Sequence, residues 1–331
     1  MIFSVRLGSL STMGLAAAMA LSTQISQAQS AGTPAHAQAP AAKTTLAWVF
    51  KPKLAPYVAP NKPVWHIADI LAAHKGQANW SQPVIKDRWF NVQYISMGPG
   101  EKTRTSFQAD TIIWFVVYSG QIRFTVQGHD PFVASKDFIV QVPMRTPYSM
   151  ETVGDAPSVR LEVRRADSAQ VFPVADNPTP PKAPAGYEAV KVEVHTPGSA
   201  AAHEETPLYL DYDSKVINNP NPPQRVGFFV RDAGGFAVPI RSAATPIPPA
   251  SNIGHFHTGL AEFWYVLEGD MDVRIEGLPD LVKSHQGDLV YAPMGRYHRT
   301  IMVGSPKSTR LAMGGVTDSG ASFMPDVDAE K

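Results

Sequence analysis

The chain has 331 residues, 29 lysines plus arginines against 29 aspartates plus glutamates, and no cysteine. Balanced charge without long runs of one sign offers little hold for nucleic acid or an anionic membrane surface, and the lack of thiols removes disulfide frameworks and thiol catalysis. With 44% apolar and 18% charged residues, the composition supports a sizeable core. The length suits two ordinary domains, and the expected ligand is a small molecule.

In chain order, a single positive charge at Arg6, an apolar run over Gly14 to Leu21 and small residues at Ser26-Gln27-Ala28 form the pattern of a cleavable secretory signal over residues 1–28. The apolar run is roughly 8 residues, far short of the ~20 that span a bilayer. The expected location is therefore the periplasm or the medium, with Ala35-His36-Ala37 as a second candidate cleavage point. Residues 29–43, rich in Ala, Gln and Pro, read as a leader without its own fold. From Leu46 to Trp89, prolines 52, 56, 60, 63 and 83 interrupt any long element. The segment is expected to wrap the outside of the strand-rich chain downstream of it, with one short helix between Val64 and His74.

Residues 90–165 give short runs rich in Val, Ile, Phe, Tyr and Thr: Val92 to Met97, Thr111 to Tyr118, Ile122 to Val126, Phe138 to Val142 and Val159 to Val163. Their length and spacing predict an all-β barrel or sandwich. A Pro-rich linker over 173–186 separates a first domain, 44–172, from a second, 187–331. Strands are expected again at Ala189 to Val194, Arg225 to Val230, Phe263 to Leu267, Met271 to Ile275, Asp288 to Ala292 and His298 to Val303, with a Pro-rich loop over Ile240 to Ala250 and a polar, frayed tail beyond Gly314.

The halves repeat each other. Residues 254–269 align without a gap on 105–120, placing Phe256 on Phe107 and Gly269 on Gly120; Asp288 falls on Asp137, and Pro293-Met294 on Pro143-Met144 after a one-residue slip. A separation of about 150 residues points to two copies of a whole domain.

The chemistry concentrates in the second copy. His255 and His257, two apart on a strand, face the same way; Glu262 returns after a short turn, and His298 stands far downstream. Three imidazoles and a carboxylate make a mixed nitrogen and oxygen set suited to one divalent transition metal, Fe, Mn, Ni, Cu, Co or Zn, rather than Ca or Mg. Without a metal, such a group is costly inside a barrel. Trp264 and Val266 share the Glu262 face and Thr300 and Met302 the His298 face, so these four are candidate substrate-pocket walls. In the first copy the corresponding residues are Ser106, Gln108, Ile113 and Tyr148, so no metal is expected there. No catalytic acid, base or nucleophile is identifiable. Arg274, Arg296 and Arg299 lie near the motifs as candidate carboxylate clamps, although a solvated surface position is the commoner fate of any one of them. His203-Glu204-Glu205 and the isolated His66, His74, His129, His195 and His285 carry no pattern, and Asp288 reads as a turn residue.

The run His255, His257, Glu262, Gly269, together with Gly287, Pro293, Gly295 and His298, resembles the two motifs of the cupin superfamily, and the two halves together resemble a bicupin. Two positions depart from the motifs: Pro249 stands where a glycine is usual and Met302 where asparagine is frequent. The resemblance implies two double-stranded β-helix (jelly-roll) barrels, a degenerate one followed by one binding its metal through His255, His257, Glu262 and His298. It further implies a metal-dependent enzyme acting on a small oxygenated organic substrate, foremost a dioxygenase, and association into homo-oligomers; the signal pattern makes it a secreted one. The alternatives are a redox-neutral lyase, decarboxylase or isomerase, and a non-catalytic periplasmic small-molecule-binding protein.

Overall fold

Four antiparallel sheets carry most of the structure, a computed structural model that describes residues 45–174, 181–194, 207–232, 234–304, 306–315 and 321–323. The predicted signal and leader, His195, His203-Glu204-Glu205 and residues 175–180 of the linker lie outside the described residues. From Leu46 onward the chain forms one unit.

In the N-terminal half, a six-stranded sheet runs in the order Tyr209–Asp211, Phe138–Val142, Ile113–Ser119, Ser158–Arg165, Phe90–Met97, Trp80–Lys86. A three-stranded sheet, Phe132–Ala134, Gln121–Val126, Tyr148–Val153, closes over it. The C-terminal half repeats this plan. Its six-stranded sheet runs Val64–Trp65, Leu289–Ala292, Glu262–Glu268, Ser308–Gly314, Gly235–Ser242, Val230–Asp232. Opposite lies a five-stranded sheet, Val282–His285, Asp270–Ile275, His298–Met302, His255–His257, Ala321–Phe323. The expected fold, all-β with two jelly-roll barrels, is the one observed.

Strand parity explains why the central runs read as continuously apolar. In Ile113–Ser119, Ile113, Phe115 and Val117 fill the first barrel, while Trp114 and Val116 point out of it. In Glu262–Glu268, Trp264 and Val266 fill the second barrel, while Phe263, Tyr265 and Leu267 point out. The outward sets from both six-stranded sheets meet, so the largest apolar cluster lies between the barrels. Strands buried on both faces lose the polar alternation of a half-exposed sheet. Phe90 anchors this interface, with its ring edge-on to Trp114 at 5.7 Å and to Phe263 at 5.3 Å.

The barrels also exchange strands across the expected boundary. Val64–Trp65, from the first half of the sequence, pairs with Leu289–Ala292, and Tyr209–Asp211, from the second half, pairs with Phe138–Val142. The turn role expected of Asp288 proves larger: its carboxylate accepts from the backbone N–H of Ile67 and His285 and bonds His66 Nδ1 at 2.8 Å. It thereby ties the helix Ile67–Ala73 to the C-terminal barrel.

Several predicted elements are corrected. Residues 189–194 form no strand; four valines and alanines there satisfied the β pattern without a neighbouring strand to pair with. The strand expected at Arg225 to Val230 begins only at Val230. The expected loop from Ile240 starts after Ser242, because the strand Gly235–Ser242 carries Pro239 within it. Trp80–Lys86 is a strand despite Pro83, which sits at an edge and a register shift, where a missing N–H is tolerated. Beyond Gly314, residues Ala321–Phe323 are a paired strand rather than a frayed tail.

The Pro-rich segment wraps the C-terminal barrel, as its composition suggested. Lys51 bridges Glu276 at 2.7 Å, Tyr57 donates to the Tyr291 carbonyl, and Arg296 donates to the carbonyls of Ala55 and Glu276 while lying over the Tyr57 ring. Among the described residues, no helix is long and apolar enough to cross a membrane.

Candidate metal centre

His255, His257, Glu262 and His298 converge inside the C-terminal barrel, their ligand-capable atoms all within 4.8 Å of one another. Each position has a local structural cause. His255 and His257 flank the buried Phe256 on a three-residue strand, so alternation turns both rings inward. His298 opens the adjoining strand and is paired in register with His255. Glu262 opens a strand of the facing sheet and projects across the interior. Gly254, at φ +80°, permits the close approach: a Cβ there would collide with the His298 carbonyl oxygen.

Glu262 Oε2 is the focus of the group, 3.0 Å from His257 Nε2, 3.1 Å from His298 Nε2 and 3.9 Å from His255 Nε2. Its other oxygen accepts from Trp264 Nε1 at 3.1 Å, which fixes the carboxylate plane. His298 Nδ1 lies 3.0 Å from the Arg296 carbonyl. A carbonyl only accepts, so Nδ1 carries a proton and Nε2 faces the carboxylate oxygen. A contact that short needs a cation between the two atoms, either a proton or a metal ion. Donors about 2.1 Å from one first-row ion and at right angles to each other lie about 3 Å apart. The four side chains therefore fit one such ion.

The electrostatics agree. Burial pushes the His255 imidazole down to about 3, helped by the neighbouring His298, so this ring is neutral and ready to donate its lone pair to a metal. Burial alone would raise the Glu262 carboxyl, but the close approach of His257 and His298 outweighs it and holds the group well below the usual carboxylate range.

The predicted pocket residues divide. Trp264 stands edge-on to the His298 ring at 5.0 Å and touches the ligand carboxylate. Val266 and Met302 are buried in the barrel's apolar cluster, and Thr300 is half-buried on the His298 face. The arginines near the motifs point elsewhere: Arg274 donates to the carbonyls of Pro248 and Pro249, Arg299 to Asn252, and Arg296 to the wrapping segment. His74 stacks on Trp80, and His285 bonds Asp270 at 2.7 Å.

Sequence reading missed two side chains. Arg310 pairs in register with Val266, which puts it on the inward face, and its charge contributes to the depression of His255. It stands well beyond the motifs, and only carrying the repeat past Pro293 and Pro143, with its one-residue slip, which places it opposite Arg160, could have drawn attention to it. Phe323 pairs with His255 and lies 5.1 Å from its ring; nothing in the polar tail signalled it.

In the N-terminal barrel, Ser106 bridges Tyr148 as His255 pairs His298, and Ile113 pairs Val142 as Glu262 pairs Ala292. The alignment of the repeats is therefore correct in three dimensions, and Ser106, Gln108, Ile113 and Tyr148 supply no set of metal donors.

Residues 246–311 match the family model described as Cupin domain. No curated protein matches the chain. Among solved structures, salicylate 1,2-dioxygenase from Pseudaminobacter salicylatoxidans superposes with a TM-score of 0.55 at 13% identity, covering 82% of this chain and 88% of that one. Its adduct with gentisate gives 0.52 at 13% identity over 76% and 80%. Oxalate decarboxylase from Lactobacillus farciminis, as a formate complex, superposes more loosely, at 0.48 and 12% identity over 80% and 88%. Residues 246–311 are thus a cupin domain, and the described chain has a two-barrel fold whose C-terminal barrel carries the three-histidine, one-glutamate group and whose N-terminal barrel has Ser106, Gln108, Ile113 and Tyr148 in its place.

Proposed function

We propose that the chain is an exported, metal-dependent bicupin oxidoreductase of the dioxygenase type, acting on a small oxygenated organic anion. The observation that carries this reading is the make-up of the barrel interior: a three-histidine, one-glutamate group, an inward arginine, and four predicted walls, Trp264, Val266, Thr300 and Met302, none of which is a carboxylic acid or imidazole able to act as general acid. A bound redox-active first-row ion would supply electron exchange with dioxygen and polarise a substrate oxygen. His255, His257, Glu262 and His298 would hold that ion. Arg310 would bind the anionic end of the substrate, Trp264 keeps Glu262 oriented, and Val266 and Met302 exclude water.

Two features favour this reading over its competitors. Arg310 and Thr300 add polar groups to the cavity, which suits an enzyme better than a passive binder. Trp264 has its N–H committed to Glu262, and Val266 and Met302 carry no exchangeable proton, which suits a redox reaction better than a lyase that needs a general acid. The two-barrel fold shared with salicylate 1,2-dioxygenase is consistent with the proposal. Export rests on the order of charge, apolar run and small residues at the N-terminus.

The test combines metal analysis of protein purified from the periplasm with oxygen uptake on phenolic carboxylates, diketones and simple carboxylic acids. We expect one redox-active ion per chain and uptake on at least one anionic substrate, with KM raised tenfold or more in Arg310→Gln. Turnover without oxygen consumption would identify a lyase, and metal without turnover of any compound would identify a binding protein.

A further inference from the structure

Inside the N-terminal barrel, behind the positions that carry ligands in the other copy, lies a polar group to which the function above assigns no task. Arg160 pairs with Val117 as Arg310 pairs with Val266, so both barrels turn an arginine inward from the equivalent strand. Arg160 is 2% exposed, yet its Nε has no hydrogen-bond partner. One terminal nitrogen reaches only the Met97 sulfur, at 3.1 Å, and the other stands 3.8 Å from Glu162. Glu162 itself accepts from Gln93.

Gln108 is 1% exposed, and neither its amide oxygen nor its amide nitrogen has a partner. Directly opposite it in register stands Gln170, which donates to Ser106 while accepting from Arg164. Tyr148, buried against the Phe115 ring at 5.8 Å, feels the charges of Glu162, Arg160 and Arg164.

Leaving a buried guanidinium N–H and both ends of a buried amide unbonded is expensive, and native interiors rarely tolerate it. Leucine at 108 would break no side-chain hydrogen bond that the described contacts show. The charges also fail to cancel: two arginines face one glutamate. The missing partner therefore has acceptor oxygens, at least one site for an amide, and one negative charge.

We propose that the N-terminal barrel is a second, metal-free ligand site that takes a small monocarboxylate, bound by Arg160 and Gln108 with Tyr148 and Arg164 beside them. The carboxylate accepts from Arg160 Nε and Gln108 Nε2 and brings the interior to neutrality. Phe115 and the apolar cluster behind it restrict the ligand to a small acid. This site is separate from the metal centre and does not depend on the reaction performed there.

The experiment is calorimetric titration of the full chain, stripped of metal, with acetate and benzoate, using acetamide and benzamide as neutral controls. At least one carboxylate should bind with one-to-one stoichiometry and neither amide should. Arg160→Gln should weaken binding tenfold or more, the loss of a charge-assisted hydrogen bond. Gln108→Leu should weaken binding while raising the thermal midpoint of the ligand-free chain, a combination that a merely structural glutamine would not give. If Arg160→Gln does not fold, Gln108→Leu decides. The proposal fails if neither acid binds, if the amides bind equally well, if both variants bind like the wild type, or if binding disappears in Arg310→Gln while persisting in Arg160→Gln.

Discussion

Replacing Glu262 with glutamine should abolish metal-induced stabilisation while leaving the barrel folded. Glutamine keeps the size of the side chain and an oxygen to accept from Trp264, but it removes the one negative charge among the four donors, at the atom on which three imidazole nitrogens converge within 3.0 to 3.9 Å. A ligand present at about 100 times its Kd stabilises the folded chain by about 2.7 kcal/mol, which for a unit of this size raises Tm by about 5–10 °C. If losing the charge weakens binding about a hundredfold, the same metal concentration equals the new Kd, and the stabilisation drops to about 0.4 kcal/mol, under 2 °C. Differential scanning calorimetry of the stripped protein with Mn, Fe, Co, Ni, Cu or Zn ions measures this directly. Equal shifts in both proteins, or no shift of the wild type with any ion, would refute the assignment of these four residues as a metal centre.

Other expectations concern the scaffold. Burial raises the Asp137 carboxyl from its usual range to about 6, against the opposing charge of Lys136. Because the folded value lies above the unfolded one, the folded chain binds more protons between about pH 4 and 6 and loses stability as the pH rises through that window. Asp137→Asn should therefore stabilise the chain by about 3 kcal/mol at pH 7 and by little at pH 4, as read by urea unfolding at the two pH values. Asparagine is also tolerated at its φ of +65°. Phe90→Ala, at the packed interface between the barrels, should cost about 3–5 kcal/mol and lower the unfolding midpoint. A loss under 1 kcal/mol would mean that the interface contributes little to holding the barrels together.

The convergence of the three histidines and the glutamate was legible in the sequence because it rests on local geometry. Alternation on one strand aims His255 and His257 the same way, and the gapless repeat carries Glu262 and its silent counterpart Ile113 to equivalent places. The paired barrels were legible for the same reason, since a separation of about 150 residues between matched motifs demands two copies. Ala189 to Val194 shows where that reasoning ends: β-favouring residues form a strand only when another strand lies alongside, and pairing is decided at long range.

The amino-acid sequence by itself therefore determined the strand-rich class, the repeat and the grouping of three histidines with one glutamate. Tertiary structure decided the rest. It set the exchange of Val64–Trp65 and Tyr209–Asp211 between the barrels, the burial of both faces of the central sheets, and the placing of Phe323 against His255. It also decided which arginines count. Arg296 and Arg299, beside a motif, turn outward to backbone carbonyls and Asn252, while Arg310 and Arg160, far from any motif, turn inward. The direction of a strand side chain depends on register against its neighbours, and register belongs to the folded sheet rather than to any local run of residues.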